Sequence, residues 1–221
     1  NVTLKLNGDV QSHNPPLYAT NYPVGLQYKG KEVFPFKHNW SDSIKLQIVA
    51  NQDKIDFDVG YKRLIQKGLS LSNMGVRTVL RNREQLARMK AFLSRRCGRQ
   101  KSFFASSRLQ DFSIVEEYTT NAKYLYLRND GLTMHMRNLQ PYVEIVTPSA
   151  THHRQILMFE DTGNNVCRAT LDETINVNFL PDDVIRMSQL YLVRLGSDDI
   201  TFEYQSDTVA TVAMTLQQVQ S

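Results

Sequence analysis

One segment of this 221-residue chain, Asn82 to Phe112, opens with the only long helical periodicity in a sequence that otherwise reads as strands and turns. Leu86, Met89 or Lys90, Leu93 and Cys97 recur at three-to-four-residue spacing, with Phe92 widening the stripe, so the segment predicts a helix with one apolar face. Asn82 is placed as its N-cap, and Gln85, three residues on, as the partner that returns the hydrogen bond in a capping box. Glu84 and Arg88 stand four apart in the favourable order. Arg95 and Arg96 fall in the last turn, where the helix dipole favours cations, and Gly98 is expected to supply the left-handed stop. Lys101 to Ala105 and Phe112 to Glu116 read as strands. A helix laid across a β-sheet, in a mainly β chain of α+β type, is the expected architecture.

Charge sharpens the interest of this segment. Between Arg77 and Lys101 nine Lys or Arg stand against one acid, Glu84, a local charge of +8. The rest of the chain holds seventeen bases and twenty-one acids, a balance of −4 hidden inside a net charge of +4. Such a segregated basic face suits a nucleic acid, an acidic surface on a neighbouring subunit, or plain solvation.

The remaining sequence is punctuated as β structure. Asn7-Gly8, Asn14-Pro15-Pro16, Tyr22-Pro23, Lys29-Gly30 and Phe34-Pro35 break the first forty residues into short strands and a surface loop around Asn14 to Pro23. Ser43 to Val49 and Lys54 to Val59 alternate and predict a hairpin closed through Ala50 to Asp53. Tyr61 to Met74 is ambiguous, bounded by Gly68 and Gly75, and Val76 to Leu80 leads into the helix. Lys123 to Arg128, Asn129-Asp130-Gly131 and Leu132 to Arg137 give the strongest hairpin signal. Tyr142–Val146, Gln155–Phe159, Val166–Leu171 and Thr174–Phe179 follow, with a polar turn at 160–165, and Pro181-Asp182-Asp183 closes a block that predicts a small barrel or sandwich. Leu190–Leu195, Ile200–Tyr204 and Thr208–Leu216 make a final meander.

Catalytic signatures are missing from the sequence. It has no phosphate-binding glycine loop, no Gly-x-Ser-x-Gly elbow and no His-Glu-x-x-His. His152 and His153 are adjacent, so on a strand they point to opposite faces and cannot chelate one metal together; His13, His38 and His135 are isolated. Asp182-Asp183 and Asp198-Asp199 read as turn formers. Cys97 and Cys167, seventy residues apart, read as buried free thiols of a reducing compartment. No cofactor, no metal and no enzymatic activity are expected. No run of eighteen apolar residues spans a membrane, and Asn1 to Leu6 alternates like a strand rather than a signal peptide. Trp40, the single tryptophan, is a core anchor or an interface hot spot.

The order of motifs resembles a known family. A strand hairpin precedes a helix that ends Phe92-Leu93-Ser94-Arg95-Arg96-Cys97-Gly98-Arg99; then come Phe103-Phe104 and Leu109-Gln110-Asp111-Phe112. Leu190 to Tyr204 and the Val209-Ala210-Thr211-Val212 strand complete the series. Together they look like the tail-tip structural proteins (baseplate and distal tail) of tailed bacteriophages. That family commonly has a Phe-Trp-Leu-Pro-type strand after the helix, where this chain has Phe103-Phe104-Ala105-Ser106. The resemblance implies a virion component, assembled in the host cytoplasm as a hexameric or trimeric homo-oligomeric ring that joins the tail tube to the tip or receptor-binding apparatus. Its partners would be other phage tail proteins, with no membrane and no direct nucleic acid. It further implies an assembly domain of residues 1–112 with 186–221, and a small β-barrel of residues 113–185 inserted between them. Arg81, Arg88, Lys90, Arg95, Arg99 and Trp40 are the interface candidates.

Two other classes compete. A nucleic-acid-binding module would use Arg81, Arg88, Lys90, Arg95 and Arg99, although no aromatic residues interleave with these bases as stacking platforms. A carbohydrate-binding β-sandwich in 113–185 would stack sugars on Tyr118, Tyr124 and Tyr126.

Overall fold

Along the strand Leu71–Leu80 the side chains of Met74, Val76, Thr78 and Leu80 are buried, and those between them reach solvent. That period-two rule builds most of the molecule. The computed structural model describes residues 2–5, 22–37, 46–49, 52–57, 60–65, 71–136 and 139–219. The elements run β1 (Val2–Lys5), β2 (Gln27–Tyr28), β3 (Lys31–Glu32), β4 (Leu46–Val49), β5 (Gln52–Phe57), β6 (Gly60–Ile65), β7 (Leu71–Leu80), α1 (Arg83–Arg96) and β8 (Phe103–Ser106). They continue with β9 (Tyr124–Arg128), α2 (Leu132–His135), β10 (Tyr142–Val146), β11 (Thr151–Gly163), β12 (Val166–Leu171), β13 (Arg186–Leu195), β14 (Asp199–Tyr204) and β15 (Ala210–Gln218). A 3-10 turn occupies Pro181–Asp183. The chain is mainly β, its sheets antiparallel and its helices few. Among the described residues no helix is long and apolar enough to cross a membrane.

The chain divides into two compact units, residues 1–103 with 192–221 and residues 104–191. In the first, β15 is central. One edge pairs along its length with β7, from Ala210↔Leu80 to Gln217↔Asn73, and β7 in turn pairs with β4. Its other edge takes β14 and then residues 193–195 of β13, and β1 pairs with β14. β2–β3 and β5–β6 are separate two-stranded hairpins.

The helix forms where local signals place it. Asn82 Oδ1 accepts the Gln85 N–H at 2.8 Å, and Gln85 Oε1 accepts the Arg81 N–H at 2.9 Å, one residue earlier than a reciprocal box requires. At the other end the left-handed turn begins at Cys97 (φ 50°) and continues through Gly98 (φ 63°), so the expected stop is shared with the cysteine. Met89, Ala91, Phe92 and Leu93 are buried. Phe92 meets Phe34 and Phe103 edge-on at 5.4 and 5.1 Å, a geometry worth more than area burial alone.

The second unit strings β13, β10, β11, β12 and β9 into one ladder. Its core holds Tyr118, Leu125, Leu127, Val143, Ile145, Ile156, Phe159, Leu171, Ile175 and Phe179. No pairing among the described strands closes this ladder into a barrel. The stretch expected as strand at 112–116 is instead irregular and bonds to both edges. Phe112 N–H reaches Met187 O on β13, and Val115 N–H reaches Tyr126 O on β9. Thr174 to Phe179 contributes only a bridge, Tyr118↔Phe179.

Two expected hairpins are not made. β4 pairs with β7 and β5 with β6, because alternation marks a strand without naming its partner. The Asn129-Asp130-Gly131 turn does not fold β9 back on the next segment either. Asn129 Oδ1 instead accepts the N–H and hydroxyl of Thr133, capping the turn of helix α2. The vacated edge of β9 is used by the 113–115 segment.

A buried charged group sits inside the second unit. Glu144, 3% exposed, faces Arg186 at 3.3 Å and Arg108 at 3.9 Å, and is paired in register with His153 on β11 and Ser188 on β13. Burial, reinforced by Arg154 and Arg108, holds His153 below the ordinary 6.5 despite the opposing pull of Glu144. Burial, then Arg154, does the same to His152. Both imidazoles are therefore easier to protonate in the unfolded chain, so their contribution to stability is constant above pH ~7 and is lost as the pH drops below about 6.5. Thermal melts across pH 5–8 should show this decline, and His153→Asn should flatten it; an unchanged slope would refute the assignment.

Candidate assembly interface

The basic segment is not uniformly available to a partner. Glu32, at the end of β3 with 2% of its side chain exposed, collects four hydrogen bonds. Arg95 donates to it as a fork, Nη2 at 2.6 Å and Nε at 3.2 Å; Arg96 Nη2 donates at 2.6 Å and the Gly25 N–H at 3.0 Å. A Cβ on Gly25 would stand 3.2 Å from Glu32 Oε1, so glycine is what lets the backbone come this close. The Arg96 guanidinium also lies 4.9 Å from the Phe92 ring centre. Burial, followed by the like charge of Arg95, outweighs Glu32 and lowers the Arg96 pKa. Two of the nine bases are thus internal struts that tie the 22–37 segment to the end of α1.

The sequence candidates accordingly separate. Arg95 belongs to the Glu32 cluster, with 15% of its side chain exposed. Lys90 lies over the Phe202 and Tyr204 rings of β14 at 5.6 and 6.0 Å. Arg81, Arg88 and Arg99 are exposed, and so is Lys101; none of their side chains has a partner among the described residues. Arg77 and Arg83 pair at the surface with Glu203 (3.5 Å) and Asp207 (3.2 Å), contacts of small energetic value. Trp40 lies outside the described residues, as do His13 and His38. Cys97 is half-buried, with Sγ near the Ser94 and Arg95 carbonyls, and Cys167 is buried. Burial, then Asp161, pushes the Cys167 thiol up to about 11, which keeps it protonated and unreactive.

No protein-family profile and no curated protein sequence matches the chain.

The three tyrosines offered for sugar stacking part company. Tyr118 is a core residue, stacked on Phe179 at 4.9 Å with its hydroxyl bonded inside the unit, and is closed to a ligand. Tyr124 is exposed, with the Arg168 guanidinium 4.7 Å from its ring centre, and Tyr126 is half-buried. Among the described residues no three His, Cys, Asp or Glu are grouped to hold a metal.

Sequence reading missed a surface on the second unit. Tyr118 and Phe179 exchange backbone hydrogen bonds of 2.9 and 3.2 Å, which brings 116–120 beside 177–181. Glu116, Glu117 and Asp182 are exposed there without an ion pair among the described residues, around Leu180 at 51% exposure. Ile185, a few residues on, is 63% exposed. The signal was present as runs free of Lys and Arg, but they lie some sixty residues apart and only the bridge unites them.

Proposed function

We propose that this chain is a structural subunit of a bacteriophage tail tip or baseplate, a ring-forming component that joins the tail tube to the tip or receptor-binding apparatus. The observation that carries the self-assembling part is the division of charge between the two units. Residues 1–103 with 192–221 hold nineteen Lys and Arg against eleven Asp and Glu, +8; residues 104–191 hold seven against eleven, −4. Opposite fields on two parts of one chain favour head-to-tail contacts between copies, and such contacts close into a ring when the rotation closes. The phage setting rests on the order of motifs from Phe92 to Phe112 and from Leu190 to Val212.

The first unit, with α1 set against its sheet, serves as the assembly domain, and the second is a smaller inserted β domain of barrel or sandwich type. The ring consists of three or six copies, takes no cofactor and turns over no substrate. It forms in the host cytoplasm and ends in the virion beside other tail proteins.

Solution mass at low and high salt tests this reading. A discrete trimer or hexamer at about 50 mM salt that dissociates near 1 M is expected, because exposed charge pairs are screened over about 3 Å at the higher value. A monomer at every concentration and salt would overturn self-assembly. The exposed Arg81, Arg88 and Arg99 keep one alternative in play, a nucleic-acid module. Salt-sensitive binding of duplex DNA by a monomeric protein would favour it.

A further inference from the structure

The basic and acidic surfaces each carry side-chain charges that form no ion pair among the described residues of their own unit, although the Asp198 carboxylate accepts the Arg99 backbone N–H at 2.9 Å. On the first unit these are Arg81, Arg88, Arg99 and Lys101. On the second, residues 113–120 and 172–185 contain six acids and no Lys or Arg, and the Tyr118↔Phe179 bridge joins the two stretches side by side. Glu116, Glu117 and Asp182 are exposed and unpaired among the described residues. Asp183 is bound to the local backbone, accepting the Leu180 N–H at 2.8 Å and so shaping the 3-10 turn.

This surface is more than a charged patch. Leu180 (51% exposed) follows the bridge beside Glu117, and Val177 (37%) and Ile185 (63%) are exposed on the same stretch of chain; exposed large apolar side chains near charged ones are the usual composition of a protein-binding face. The nearest base along the chain, Arg186, is turned to the buried Glu144 at 3.3 Å and does not offset the patch. An anionic, phosphate-bearing ligand is excluded by sign; a basic protein surface is favoured. This chain supplies one itself, in the +8 unit.

We infer that the acidic and apolar face around Glu116, Glu117, Leu180 and Asp182 is the docking surface for the Arg88 and Arg99 face of a second copy of this chain. The inference rests on the ring reading and adds to it which two surfaces meet. Each copy gives its basic face to one neighbour and its acidic face to the other, so every contact in the ring is the same and heterologous.

Charge reversal in two separate variants tests the pairing. One carries Arg88→Glu and Arg99→Glu, the other Glu116→Lys, Glu117→Lys and Asp182→Lys; all five positions are exposed and lie outside the core. Each variant alone is expected to self-associate at least about tenfold more weakly than the unaltered chain at low salt, because like charges then face each other. Mixing the two restores association between unlike copies, since every contact between them is either native or reversed in both partners; a six-membered ring then closes with the variants alternating, whereas a three-membered one stops at open pairs. Either variant can be judged without the other, so misfolding of one leaves the test intact. Undiminished assembly by both variants would overturn the inference while leaving a ring in place. Weakened variants that do not associate with each other even as pairs would show that these two surfaces do not meet. A monomeric unaltered chain would overturn the ring reading itself.

Discussion

Glu32→Ala is expected to destabilise the first unit by about 3–5 kcal/mol, the cost of leaving buried cations without their counter-charge. The wild-type carboxylate is shared by two guanidiniums and a backbone N–H, and its side chain is 2% exposed. Removing it leaves Arg95 and Arg96 beside each other with their opposing charge gone, Arg96 being held by its stacking on Phe92. Glu32→Gln keeps the shape and two of the four acceptor contacts, since each carboxylate oxygen takes two of them and the amide nitrogen takes none, and should fall between wild type and alanine. Arg95→Ala and Arg96→Ala should each cost less than Glu32→Ala, because the remaining arginine still pairs with the carboxylate. Denaturant unfolding of the four variants provides the ranking. A Glu32→Ala loss under about 1 kcal/mol would mean that the cluster is solvated in solution and adds little.

Tyr118→Ala should cost the second unit about 3–5 kcal/mol or more, since a ring buried to 2% exposure is deleted and a cavity is left. The hydroxyl adds a separable part. It accepts the buried Ile175 N–H at 2.8 Å and donates to the Ala122 carbonyl, locking together two segments that the strand ladder does not join. Tyr118→Phe keeps the stack on Phe179 but strands that N–H, a penalty of about 1–3 kcal/mol. Hydrogen exchange provides a direct reading: the Ile175 amide should lose protection in Tyr118→Phe while core amides of β10 and β12 keep theirs. Equal protection in both proteins would remove the hydroxyl from the account.

What the sequence revealed, and what it concealed, follows the range of the interactions involved. Helix α1 was legible because its cap, dipole charges and stripe all lie within a few residues of one another, and the observed N-cap is Asn82 as read. The antiparallel, mainly β character was legible from alternation and turn residues. Pairing was not, since β4 and β7 satisfy the same pattern that β4 and β5 do, and register is settled by contacts distant in sequence. At Asn129-Asp130-Gly131 the local signal misled, because the side chain that favours a hairpin turn caps a helical turn equally well. The Glu32 cluster could not be read at all. Its members are 63 and 64 residues apart, and Glu32 sits in a Lys-Gly-Lys-Glu run that looks like a solvated turn. Of the basic candidates, Arg88 and Arg99 emerged exposed and Arg95 emerged internal; only the position of Glu32 separates them.

The central place of β15 sets the order in which the chain can mature on the ribosome. Its partner β7 is translated 130 residues earlier, from Leu80 to Ala210, and between them lies the whole of the second unit. At 5–20 residues per second that interval is on the order of ten seconds. Throughout it β7 exists without the strand that pairs along its length, while residues 104–191 are contiguous and complete in themselves. The inserted unit is thus free to fold first, and the sheet that receives β15 is finished only after it. Nascent chains on one polysome would then expose the same unsatisfied strand edge side by side, which makes this the stage at which a holding chaperone has most to protect.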